Sequence, residues 1–362
     1  MKIVICGLSI TSSWGNGHAT TYRALARALR RRGHQVIFFE RDLEWYGSNR
    51  DMPEPPFCRT ILYENWREIM PRIRREFDQC DVAMVGSYCP DGLNAIETML
   101  ESNAGVKTFY DIDTPITLAK LESNNPEYLK REHVPSLDLY FSFTGGPMLE
   151  SLQRKYYARR AVPLYCSFDP QSLIKRETAN FSCDLSYMGT YAADRQQTLS
   201  EFLCVPAQNL PGRKFRVAGP QYPAAIKWPS NVERIIHLEP KLHAEFYASS
   251  RMTLNITRKL MIDAGYSPSV RLFEAGGYGT AIVSDHWRGL ETFFNPGEEI
   301  LIAHDAADVM AYIREMNDSA LQRVARNAQE RVLQEHSSNA RALEFEKYVT
   351  EAARLRPVGA AI

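Results

Sequence analysis

Short apolar runs alternate with longer amphipathic stretches along this chain, and glycine, proline and asparagine fall at the joints between them. The first run, Lys2 to Cys6, reads as a strand. A glycine-bearing loop from Gly7 to His18 follows, then a helix from Tyr22 to Arg32 with Leu25, Ala28 and Leu29 at helical spacing. Gly33 ends that helix. Gln35 to Phe39 predicts the next strand, and Asp81 to Val85, Val106 to Tyr110 and Leu139 to Phe143 predict further ones after helical stretches. Strand alternating with helix implies a parallel, doubly wound α/β sheet. Ala161 to Cys166 reads as the passage out of it.

A fresh alternation then begins: a strand at Leu185 to Met188, a helix at Arg195 to Leu203, strands at Phe215 to Ala218 and Arg251 to Ile256, a helix around Leu272 to Gly276, and strands at Ala281 to Ser284 and Ile300 to Ala303. From Ala306 to Leu355 strand signals cease, and alanine, leucine, glutamate and arginine recur at helical spacing. The pattern thus predicts a Rossmann-like domain over 1–168 and a second over 180–335, with a boundary near Cys166 to Ala179. A terminal helix over 336–362 would be free to pack back on the first domain. Arg41 to Pro56, rich in proline, aspartate and asparagine, predicts a long surface loop that could border an acceptor site.

Length agrees with that division, because 362 residues exceed the ~250 to 300 at which a single core stops growing. With 44% hydrophobic and 24% charged residues, the composition is that of an ordinary globular protein. Lys plus Arg and Asp plus Glu both number 43, so no overall field favours nucleic acid or an anionic membrane, and any anion site must be local. Arg30, Arg31 and Arg32 complement the dipole at a helix C-terminus. The 7 cysteines form no Cys-x-x-Cys pair, which fits a reducing cytosol. The chain opens directly on a strand and contains no run of ~18 apolar residues, so a cytoplasmic location without a transmembrane segment is expected.

The most informative stretch runs from Asn255-Ile256-Thr257-Arg258 through Gly265-Tyr266-Ser267-Pro268-Ser269-Val270-Arg271-Leu272-Phe273-Glu274-Ala275-Gly276-Gly277 to Ala281-Ile282-Val283-Ser284-Asp285. It reads as strand, loop, helix, glycine turn, strand. Ser267 and Pro268 suit a helix start, and free N–H groups there would present positive dipole to a phosphate. Arg258 and Arg271 add positive charge to the same stretch. Glu274 falls near the C-terminal end of the helix, where a carboxylate opposes the dipole. Either a ribose diol or an ordinary solvated or salt-bridged environment would account for it.

The string Arg271-Leu272-Phe273-Glu274-Ala275 through Gly279-Thr280, with Gly289-Leu290-Glu291 and Asn295-Pro296-Gly297-Glu298-Glu299-Ile300, resembles the donor-binding domain of GT-B glycosyltransferases. More narrowly it is similar to the spore-maturation CgeB-like family, with its glycosyltransferase group 1-like C-terminal domain. Asp184-Leu185-Ser186-Tyr187-Met188-Gly189-Thr190-Tyr191 with Asp194-Arg195, and Phe109-Tyr110-Asp111-Ile112-Asp113-Thr114-Pro115, carry the likeness further. The resemblance implies two Rossmann-like domains facing a cleft and closing over a nucleoside-diphosphate sugar. Gly189, Thr190, Arg195, Arg258, Ser269 and Arg271 would take the diphosphate, Glu274 the ribose, and the backbone at His237 and Leu238 the base. In many such enzymes a Glu-x7-Glu pattern is present. Glu274 matches its second position, but Tyr266 stands at the first, which leaves retention or inversion open.

In the first half, Trp14, Gly15, Asn16, Gly17 and His18 form a glycine-rich strand-to-helix turn. His18 could be a base toward an acceptor hydroxyl or a surface histidine on a tight turn. Asp111 and Asp113 form an Asp-x-Asp sequence after an apolar strand, a pattern that could suggest metal-dependent GT-A chemistry. The preferred reading puts both on the acceptor side, where Asp113 could orient His18 or bind acceptor hydroxyls, and a helix cap by Asp113 or Thr114 is the alternative. No histidine or cysteine grouping has metal-ligand spacing, so no metal and no cofactor are expected. The implied function is metal-independent transfer of a hexose-type sugar to an acceptor that is a glycan, a protein, a lipid or a small molecule. A nucleotide-sugar epimerase and an inactive GT-B binding scaffold are the alternatives.

Overall fold

The computed structural model describes residues 1–15, 17–173 and 181–355, and divides them into two compact units. Unit 1 comprises Met1–Ser167 and the chain from Ser338 onward, and unit 2 is Phe168–Ser337. Residues 174–180, where the expected boundary ends and the expected second domain begins, and 356–362 lie outside the described residues.

Unit 1 runs β1 (Lys2–Gly7), α1 (His18–Arg31), β2 (Gln35–Arg41), α2 (Glu44–Gly47), β3 (Arg59–Tyr63), α3 (Trp66–Asp78), β4 (Val82–Gly86), α4 (Gly92–Glu101), β5 (Val106–Asp111), α5 (Thr114–Glu122), β6 (Leu139–Ser142), α6 (Pro147–Lys155) and β7 (Ala161–Pro163). All strands are parallel, in the order β3-β2-β1-β4-β5-β6-β7. Helices on both faces leave no polar side, which is why the central strands are continuous apolar runs and β4 is buried throughout. Chain order reverses between β1 and β4, and their carboxyl ends open the crevice in which such sheets hold ligands.

Unit 2 repeats the plan: β8 (Cys183–Met188), α7 (Ala193–Leu199), α8 (Val205–Asn209), β9 (Phe215–Ala218), β10 (Val232–Ile235), α9 (His243–Ser249), β11 (Ser250–Asn255), α10 (Lys259–Ala264), α11 (Val270–Gly277), β12 (Ala281–Ser284), β13 (Leu301–Ile302), α12 (Ala306–Glu315) and α13 (Asp318–Glu335). Its six parallel strands run β10-β9-β8-β11-β12-β13, with the reversal between β8 and β11. The last helix, α14 (Ser338–Leu355), belongs to unit 1 and packs on α1. There Arg32 and His34 pair with Glu346, and Phe345 stacks on Phe141 at 5.4 Å.

Three elements depart from the sequence pattern. β3 was not signalled, because an edge strand of alternating exposure lies beside a Pro-rich loop. Ala161–Pro163 is a seventh strand of the first sheet and not merely an exit. The helix expected over Arg195 to Leu203 starts at Ala193 and passes at Ser200–Cys204 into a π turn, since Pro206 brings no N–H to continue the α ladder.

Candidate functional site

At the carboxyl end of β8 the chain turns sharply through Gly189 and Thr190. Gly189 N–H donates to Ala218 O at 2.9 Å, and its carbonyl accepts from the Tyr222 hydroxyl at 3.1 Å. Gly219, with φ +144°, lies so close that a Cβ there would stand 2.1 Å from Gly189 O. A Cβ on Gly189 itself would meet the Tyr187 hydroxyl at 2.8 Å and an Arg271 guanidinium nitrogen at 3.0 Å. Glycine at both places lets backbone, ring and guanidinium share one small volume.

Arg271, in the first turn of α11, lays its guanidinium over the Tyr187 ring at 5.0 Å and donates to Met188 O at 2.5 Å and to Asn255 Oδ1 at 3.1 Å. Asn255 is wholly buried at the end of β11. It also accepts from the Ser269 hydroxyl at 2.8 Å and donates to Ser284 at 2.9 Å. Asp285 completes the frame by accepting from the Thr257 amide and hydroxyl, both at 2.8 Å, while burial pushes its carboxyl up from the ordinary value. The sequence pattern assigned no role to Asn255 or Asp285; each is a short polar residue at the end of an apolar strand, at the reversal or beside it.

Arg195 reaches back from α7 to donate to Thr190 O at 2.7 Å, and its Nε is buried without a partner among the described residues. Burial draws this guanidinium down from its ordinary value, and the positive charges of Arg271 and Arg258 press in the same direction. Like charges held together in a folded protein point to an anion as the missing partner. Arg258 is more exposed, lies 3.5 Å from Asp194, and with Thr190, Arg195 and Lys259 lines an open cavity of about 750 Å³.

Glu274 lies one turn further along α11, partly exposed yet closely surrounded. Burial pushes its carboxyl up to about 7 against the pull of Arg271. No side-chain hydrogen bond or ion pair engages it among the described residues. Tyr266 adopts φ +49° and packs its ring against Gly289, where a Cβ would clash at 2.4 Å, so the first position of the Glu-x7-Glu pattern is filled by a packing residue. His237 is half-buried and Leu238 buried, on the stretch that follows β10.

In unit 1 the loop after β1 is strapped from below. The buried Glu40 carboxylate accepts from the Ser9 and Thr11 hydroxyls at 3.0 and 2.5 Å and from the Ile10 and Thr11 amides at 2.6 and 3.0 Å. Asp51 accepts from both Arg23 terminal nitrogens and from Ser13. Burial would raise its carboxyl, but these partners win and hold it at about 2. Thus the expected surface loop from Arg41 to Pro56 is the anchor of the glycine-rich turn. Trp14 is half-buried and Gly15 and Gly17 are exposed; Asn16 lies outside the described residues.

His18 opens α1 with its Nδ1 buried and unpartnered among the described residues. Burial lowers its pKa more than the Asp113 charge raises it, so the imidazole is neutral near pH 7. Its ring meets Tyr88 edge to face at 5.1 Å, and Tyr88 donates its hydroxyl to Asp113 at 3.1 Å. Asp113 sits at the start of α5 but makes no side-chain cap bond. Asp111 turns inward instead of toward a ligand. It is wholly buried, accepting from Tyr140 at 2.5 Å and Thr117 at 2.7 Å, and burial pushes its carboxyl up to about 7.

Residues 195–347 match the glycosyl transferase-like family. Among solved structures, sucrose-phosphate synthase from Thermosynechococcus elongatus has a TM-score of 0.68 at 13% identity, over 98% of this chain and 100% of that one. An alpha-glucosyltransferase in complex with UDP-glucose and DNA containing an abasic site has a TM-score of 0.70 at 14% identity, over 97% and 99%. Anabaena HepE in complex with UDP-glucose has 0.68 at 10%, over 97% and 100%. No curated protein matches the chain. At these identities the likeness is one of fold. No helix among the described residues is long and apolar enough to cross a membrane.

Proposed function

We propose that the chain, whose fold is that of the GT-B glycosyltransferases, is itself a glycosyltransferase: unit 2 binds a nucleoside-diphosphate sugar, and the sugar, of hexose type, passes to an acceptor hydroxyl without a metal ion. Within that fold we place it in the CgeB-like subfamily, on the strings around Asp184 and Arg271. The observation that carries the donor assignment is the pairing of an uncommitted carboxylate, Glu274, with an arginine cluster short of an anion. A ribose diol donating to Glu274 and a diphosphate on Arg195, Arg258 and Arg271 would satisfy both at once.

In the transfer, the acceptor oxygen bonds to the anomeric carbon as the bond from that carbon to the diphosphate oxygen breaks. The acceptor proton goes to neutral His18, and the diphosphate leaves with its developing charge held by guanidinium groups and by the backbone N–H groups at Thr190 and the start of α11. The cluster is already positive before ligand arrives, so little reorganisation is needed as charge develops. The same stabilisation is what a divalent ion would otherwise supply.

Tyr266, packed on Gly289 where many relatives of this fold carry a glutamate, favours a second reading: a scaffold that binds the nucleotide sugar without transferring it. Nucleotide-panel titrations followed by donor turnover separate the readings. Binding lost in Glu274→Gln, with turnover lost in His18→Ala, supports the transferase. Binding without turnover of any donor supports the scaffold, and conversion of the free donor to its epimer supports an epimerase.

A further inference from the structure

Tyr88 follows β4 at the reversal of the first sheet, in the left-handed region at φ +61°, a conformation uncommon for an aromatic residue. The surrounding backbone enforces it. Ser87 N–H donates to Tyr110 O at 2.9 Å, and the Ser87 hydroxyl accepts from Ile112 N–H at 3.0 Å, locking the turn onto the end of β5. The strain sends the side chain between two groups already implicated. Its ring presses edge to face on His18 at 5.1 Å, and its hydroxyl reaches Asp113 Oδ2 at 3.1 Å. The far face of the ring is braced by Tyr128, at 5.1 Å between centroids, and by Lys120, whose ammonium lies 5.4 Å from the ring centre.

No hydrogen bond or ion pair joins His18 to Asp113, so an aspartate that would otherwise pair with the imidazole is engaged by a phenol. We infer that Tyr88 is a positioning residue for the acceptor-side base: its ring fixes the imidazole plane, and its hydroxyl occupies Asp113 so that the carboxylate stabilises a protonated His18 without pairing with the neutral one. This rests on the reading of His18 as the base. The groups facing His18 are Tyr88 from the turn after β4 and Asp113 at the start of α5. Lys120 lies above the Tyr88 ring, and Asp111 and Tyr128 lie behind, with Thr117 bonded to both. Burial pushes the Tyr88 hydroxyl well above its ordinary range, so it remains a donor at every working pH.

The arrangement has a sign. Removing only the hydroxyl, in Tyr88→Phe, frees Asp113 to pair with the imidazole, and a more available negative charge favours the protonated ring. The test follows the His18 imidazole of the full chain by proton–nitrogen NMR across a pH titration, assigned by the signal lost in His18→Ala, in the wild type, Tyr88→Phe, Asp113→Asn and the double variant. The expected result is an upward shift of the His18 midpoint by about half to one unit in Tyr88→Phe, a downward shift in Asp113→Asn, and no effect of Tyr88→Phe once Asp113 is Asn. An unmoved midpoint in Tyr88→Phe, or an equal shift with and without the Asp113 carboxylate, overturns the inference. Release of nucleoside diphosphate from the donor that binds is measured alongside. If His18→Ala keeps full turnover, the base assignment fails independently of the titration. If it loses turnover and the midpoint is unmoved, only the role of Tyr88 fails.

Discussion

The two units share one plan, a parallel sheet whose order reverses beside its first strand, and yet the sites at the two reversals are built from opposite electrostatics. In unit 2 charge is accumulated and only partly compensated: guanidinium groups crowd at Gly189 and Thr190 with Asp194 against Arg258 alone, and the Glu274 carboxylate has no hydrogen bond or ion pair among the described residues. In unit 1 charge is neutralised: His18 is held uncharged, Asp113 is engaged by Tyr88, and Asp111 is sealed inside the core. A site that binds a polyanion benefits from preassembled charge. A site that removes a proton benefits from a neutral base close to working pH. On the proposed function one scaffold would serve both, because the loops at the reversal, and not the sheet, would carry the chemistry.

The comparison breaks first at His18. His18→Ala is expected to lower transfer by about 10²- to 10⁴-fold while leaving nucleotide affinity unchanged, read as kcat against the nucleotide Kd. A parallel loss of nucleotide affinity would contradict the division of labour. Arg271→Ala comes next, with a loss of about 10²-fold or more in nucleotide affinity. A fall of ~2 kcal/mol in stability should accompany it, since Met188 O and Asn255 lose a charged donor. Denaturant titration beside calorimetry measures the two together.

A gentler change is pH. The Glu274 carboxyl, raised to about 7, is half protonated near neutrality, and ribose hydroxyls donate best to the ionised form. Nucleotide affinity should therefore rise from pH 6 to pH 8, and Glu274→Gln should flatten that slope. Smallest is the effect at Asp51. Its carboxyl is lowered from 3.8 to about 2, so its contribution to stability is present above the unfolded value and is lost as pH falls through about 2. Because the Asp51 side chain is 31% exposed, water screens its bond to the buried Arg23, and Asp51→Asn should cost about 1 kcal/mol at pH 7. The cost should vanish in melts at the acid end.

The contrast between the units also governs what the sequence reveals. Phe215–Ala218 and Ala281–Ser284 emerge at their exact bounds, because a strand buried on both faces leaves a mostly apolar run, broken in the first only by the buried Arg216. An edge strand such as Arg59–Tyr63, exposed at alternate positions, is not distinguishable from its loop. Glu274 and the arginines are legible because unlike charges near glycine turns are conspicuous. Tyr88 is not, since nothing about one tyrosine after an apolar strand reveals a positive φ or a bond to an aspartate 25 positions on. Asp111 misleads for the complementary reason. Spacing puts it at the strand end, but its side chain is sealed in the core, while Asp113, already past the strand at the start of α5, carries its carboxylate to Tyr88.

The central claim is that unit 2 holds a nucleoside diphosphate through Glu274 and its neighbouring arginines. Isothermal titration of the full chain and its Glu274→Gln variant with UDP, GDP, TDP and ADP at pH 8, without added metal, tests it most directly. The account predicts that one nucleotide binds the wild type and that Glu274→Gln weakens it by about 10- to 100-fold with the melting temperature of the unliganded protein retained. Equal affinity in the two proteins, or no binding of any nucleotide at millimolar concentration, would contradict it.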